Sequence, residues 1–78
     1  MWYRSKKIDS RLGDALKEMS DGERIDVMVQ VENGHWTVPA GVREETKEGA
    51  RMGDVLCLSL TVRALKRLVD DPAVLLVE

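Results

Sequence analysis

The only side chains in this chain that could form a thiol nucleophile and its imidazole base are Cys57 and His35. A thiol and an imidazole work together only within hydrogen-bond reach and with a third group orienting the ring. No residue at a telling spacing supplies that group. Cys57 therefore reads as a small hydrophobe on a strand and His35 as a turn residue. Asp70 and Asp71 are adjacent carboxylates, but no His or further acid falls at a metal-ligand spacing. Two acids before a proline read as the end of a helix. Gly41, Gly49 and Gly53 match neither the dinucleotide-binding nor the P-loop spacing. We expect no enzyme, no metal and no cofactor.

Charge narrows the partners. Lys and Arg number 12 against 14 Asp and Glu, a net charge of −2 with both signs interspersed. Nucleic-acid binding needs a basic patch that neutralises phosphates. Arg63, Lys66 and Arg67 are the nearest approach to one, and they read as the solvated face of a helix. No stretch approaches the roughly 20 apolar residues of a membrane span. The opening Met-Trp-Tyr-Arg-Ser-Lys-Lys has no apolar signal stretch, so the chain reads as non-secreted unless excised from a secreted precursor. Trp2 and Trp36 are partner anchors or, with no Phe in the chain, fillers of the core.

With 78 residues there is room for one domain, which we take to span 1–78 with 1–7 as a flexible arm. A domain this small buries about 60% of the surface its unfolded chain exposes, so stability is marginal and a binding partner adds to it. One cysteine excludes an internal disulfide.

Hydrophobic periodicity then places the elements. Ile8, Leu12, Leu16 and Met19 recur at helical spacing, with Asp9 or Ser10 as cap and Ser20-Asp21-Gly22 as the end, closed by a left-handed glycine. Ile25, Val27, Val29 and Val31 alternate with Asp26, Met28, Gln30 and Glu32, the pattern of a strand with one dry face. Asn33-Gly34 predicts a type I′ hairpin returning through His35 to Val38. Val42 to Gly53 reads as a ragged edge strand or loop. Gly53-Asp54 turns into a strand over Val55 to Thr61. Thr61 caps a helix carrying Val62, Leu65, Leu68 and Val69, and Asp70-Asp71-Pro72 ends it. Ala73 to Val77 reads as a central strand buried on both faces, parallel to the preceding one through a right-handed crossover.

The segment from Gly53 to Glu78 resembles the second half of subtilisin-type propeptides and their inhibitor relatives: a strand, a Leu-rich helix, then Asp-Pro-x-Val-x-x-Val/Ile-Glu, here Asp71, Pro72, Val74, Val77 and Glu78. Lys7-Ile8-Asp9 with Leu12, Leu16 and the strand at Ile25 is similar to the opening of some bacterial members. The resemblance implies an α+β, ferredoxin-like sandwich, with a four-stranded antiparallel sheet, helices on one face and here an additional N-terminal helix. Between Glu32 and Val42 there is hardly space for the family's first crossover helix. Either it shrinks to a turn or the helix from Ser10 to Met19 takes over its packing.

The resemblance also implies a partner, a subtilisin-like serine protease, which the domain inhibits or helps to fold. The open sheet face would dock, carrying Met28, Gln30, Cys57 and Ser59. At the end of the last strand, Val77 and Glu78 would also contact the protease, Glu78 capping one of its helices. The family's C-terminal tail enters the substrate cleft, and the sequence stops at Glu78, so inhibition is expected to be weak without it. The alternative is a ferredoxin-like interaction or assembly module with no protease partner, and self-association stays open.

Overall fold

A computed structural model describes all residues, Met1–Glu78. Helix α1 spans Ser10–Lys17 and begins because the Asp9 carboxylate accepts from the Arg11 and Leu12 backbone N–H groups at 3.1 and 3.4 Å, satisfying donors that have no partner within the helix. Its Leu12 and Leu16 are buried with Ile8. Gly22 does not close it. The helix stops at Glu18 in right-handed geometry, and the one left-handed glycine is Gly53, with φ 61°.

Strands β1 (Arg24–Val31), β2 (Thr46–Met52), β3 (Val55–Thr61) and β4 (Val74–Val77) form one sheet in the order β2-β3-β1-β4. Every paired neighbour is antiparallel. It follows that β1 and β2 run parallel with β3 between them, and β3 and β4 run parallel with β1 between them. This doubly split arrangement is the ferredoxin-like order, and the chain is an α+β domain with that sheet. The predicted parallel relation of the last two strands is present, but β1 lies between them. Consequently β4 is at the edge and not at the centre, and Leu75 on it is half exposed.

Helix α2 (Val62–Leu68) is the crossover between β3 and β4. Thr61 caps it, its Oγ1 accepting from the Ala64 N–H at 3.0 Å. The Val62 and Arg63 N–H groups donate to the carbonyls of Glu23 and Asp21, so the turn before β1 satisfies two further donors of this helix end. At its other end Lys7 Nζ donates to the Val69 and Asp71 carbonyls, at 3.1 and 3.0 Å.

The connection from β1 to β2 departs from the predicted hairpin. Neither Asn33 nor Gly34 has the positive φ of a type I′ turn. Asn33 Oδ1 instead accepts from the His35 N–H at 2.9 Å, and both edges of β1 are already occupied by β3 and β4, leaving no place for a returning strand. The segment from His35 to Val38 runs on to a 3₁₀ turn at Ala40–Glu45, which stands where a first crossover helix would lie and buries Val42. Glu45 fastens this turn to α2. Hydrogen bonds from Arg63 first, then Thr61, hold its carboxyl below the ordinary 4.5.

All 18 buried apolar residues form one cluster, contributed by one face of the sheet, by α1, by α2, by the 3₁₀ turn and by Ile8, Val38 and Val69 beside them. The first seven residues, expected as a flexible arm, lie against this body. Trp2–Arg4 form a 3₁₀ turn with Trp2 and Tyr3 packed on the core, and the Lys7 carbonyl accepts from the Val77 N–H at 2.7 Å.

This N-terminal turn sits so close to α1 that a Cβ on Gly13 would come 2.5 Å from the Tyr3 carbonyl oxygen. In an ordinary helix interior, alanine is better than glycine by about 1 kcal/mol. Here the sign reverses. Gly13→Ala is expected to lower the unfolding free energy by about 1 to 3 kcal/mol in urea titration, and an increase would show that residues 1–7 do not pack as described.

Candidate docking face

One face of the sheet is covered and the other is open. The period-two alternation of β1 and β3 sends Val27, Val29, Val31, Leu56, Leu58 and Leu60 into the core, which places Asp26, Met28, Gln30, Cys57 and Ser59 on the opposite face. The register sets them side by side: Asp26 lies opposite Ser59, Met28 opposite Cys57, and Gln30 opposite Val55. Glu78 joins them from β4, because its N–H donates to the Met28 carbonyl and its carbonyl accepts from the Met28 N–H, both at 2.9 Å.

Five of the six residues singled out from the sequence are thus together. The sixth is not. Val77 is wholly buried, its side chain in the core, and its backbone is engaged by Lys7 and Asp9. The period of two separates it from its neighbour Glu78.

The face is concave along β3. Cys57 and Ser59 form its floor, Met28, Asp26 and Glu78 one wall, and Lys47 the other, around a hollow of about 520 Å³. It exists because β3 presents small side chains there and because β2 carries Gly49, where a Cβ would come 3.3 Å from the Cys57 carbonyl oxygen. A smaller hollow of about 90 Å³ continues past Gln30 and Val55 to Leu76.

Its charges lie on different strands. Lys47 is on β2, the Arg24 guanidinium reaches from β1 to donate to the Ser59 carbonyl at 2.8 Å, and Asp26 and Glu78 stand on the β1 and β4 side; Lys47, Asp26 and Glu78 are in no ion pair. Two strand spacings, about 9.6 Å, separate the backbones of β2 and β1, and no ion pair spans them. Asp26 was legible from its place in the β1 alternation. Lys47 and Gly49 were not, since their segment shows no apolar period.

The remaining candidates have structural employment. Asp71 Oδ1 accepts from the Ala73 N–H at 2.9 Å, and Oδ2 from the Trp36 indole at 3.1 Å. Trp36 packs against the core and is no free anchor. His35 sits in the loop after β1 and Cys57 inside β3, with no hydrogen bond between them. No group of three His, Cys, Asp or Glu side chains is placed to hold a metal ion, and no helix is long and apolar enough to cross a membrane.

Cys57 is exposed although it lies mid-strand. In dilute native solution its thiol is expected to react fully with a maleimide, at a rate that urea below the unfolding transition leaves unchanged. Protection until global unfolding would contradict the open face.

No protein-family model, curated protein or solved structure matches the chain.

Proposed function

We propose that this chain is a binding domain, not an enzyme, of the subtilisin-propeptide kind, whose open sheet face docks on a subtilisin-like serine protease as inhibitor or folding assistant. The observation that supports this most is the gathering of Met28, Gln30, Cys57, Ser59 and Glu78 around two adjoining hollows on the uncovered face, Gln30 lining the smaller one and Met28 and Glu78 lining both. Four of these positions follow from strand alternation. Glu78 does not, because it depends on the pairing of β4 with β1.

The physical rationale has two parts. A trough floored by Cys57 and Ser59 accepts the ridge of a partner helix, and burying Met28, which is 49% exposed, contributes about 25 cal/mol for each Å² removed from water. The Glu78 carboxylate stands at the rim on a backbone held by two hydrogen bonds. Facing a helix N-terminus, such a carboxylate contributes about 0.3 to 2 kcal/mol, because the helix end presents unpaired N–H groups. The partner also stabilises a marginal domain by mass action.

Calorimetric titration against a panel of subtilisin-like proteases tests the reading. At least one member is expected to form a complex at micromolar concentration. Met28→Glu should abolish it, by burying an unpaired charge, and Glu78→Gln should weaken it about twofold to thirtyfold. Absence of any complex across the panel, or full binding by Met28→Glu, would sink the proposal.

A further inference from the structure

The open face is complementary to itself. We propose that, when no other partner is present, it packs on the same face of a second copy about a two-fold axis running along the strands between β1 and β3. This goes beyond protease docking, and it is tested on the chain alone, so that either proposal can fail without the other.

Such a rotation exchanges the β3 and β1 positions and the β2 and β4 positions while keeping each row of the sheet opposite the same row. Met28 and Cys57 share a row, so each Met28 comes over the small Cys57 side of the trough in the other copy, filling the hollow that β3 leaves. Ser59 and Asp26 share the next row and face one another across the interface.

The charges decide the occupant. Lys47 shares the row of Ser59 and lies one strand further out. Rotation carries it past β1 of the second copy, to the side where Asp26 and Glu78 stand. The cation and the two carboxylates, unpaired within one copy, are thereby paired twice in the dimer. A partner of uniform charge would satisfy one side of the face and repel the other. Two sheets stacked with nearly aligned strands, about 10 Å apart, are a common packing.

The area limits the strength. Four strands at about 4.8 Å spacing and about seven residues each project to on the order of 450 Å², below the roughly 800 Å² per partner of a standard interface. The dimer is therefore reversible, with a dissociation constant on the order of 10 to 100 µM.

Sedimentation equilibrium under reducing conditions, from about 1 to about 500 µM, should show a monomer–dimer equilibrium, and maleimide labelling of Cys57 should slow as the dimer fills. Lys47→Glu alone and the Asp26→Lys/Glu78→Lys double variant alone should each weaken self-association at least about tenfold, because each dimer then holds two like-charge contacts. Their equimolar mixture should restore it, since both contacts of the mixed dimer have opposite signs. These exposed side chains take no part in the core, and circular dichroism checks that each variant is folded. A monomer throughout the range, an unchanged dimer in Lys47→Glu, a mixture that stays monomeric, or a dimer in which Cys57 labels at the dilute rate would each overturn the proposal.

Discussion

Burial of a single apolar layer on one side of the sheet is the constraint on which the rest of the structure depends. In a chain with no Phe, the layer is built from Leu, Val, Ile and one Ala, and most of it comes from alternate residues of β1 and β3 together with one stripe each of α1 and α2. Both helices are short, and neither reaches the roughly 12 to 15 residues at which an isolated helix becomes marginally stable. They persist because the layer needs a cover. The same arithmetic leaves too few apolar residues for a second layer, so the reverse face keeps the outward halves of the strands, Met28 among them, and stays open.

Because the connection from β1 to β2 holds only a 3₁₀ turn, the cover has to be completed from elsewhere in the chain. Residues from Trp2 to Leu16 do so, entering along β4 and folding α1 over the core. Three polar contacts fix this arrangement. Lys7 holds the end of α2, Asp71 ties Trp36 to the turn before β4, and Glu45 joins the 3₁₀ turn to Arg63. The exposed Glu45 pair adds little on its own, whereas Lys7 satisfies the Val69 carbonyl at the end of α2 and shares the Asp71 carbonyl with the Val74 N–H.

Periodicity made β1, α1, β3 and α2 legible, since each buries one face and so writes a period of 2 or 3.6 into the sequence. It could not identify β2, an edge strand exposed almost throughout, whose pairing to β3 is carried by backbone hydrogen bonds. Asn33-Gly34 misled because hairpin propensity is local, while the edges of β1 are taken by strands from more distant parts of the chain. The apolar run Ala73 to Val77 resembled a central strand for a related reason. It is short, it contains the irregularity that places both Val74 and Val77 inward, and its outer edge is lined by Lys7 to Asp9. Of the docking face, the part on β1 and β3 followed from alternation, whereas Lys47 and the hollow beside Gly49 required the register of β2.

The central claim is that binding uses the open face and leaves the helical side free. The four methionines allow a direct measurement, since Met28 lies on the open face and Met19 packs against the core on the helical side. In a sample labelled with ¹³C at the methionine methyl groups, adding an active-site-blocked subtilisin-like protease that binds the domain should shift or broaden the Met28 signal and leave Met19 in place. A shifted Met19 beside an unchanged Met28 would contradict the account.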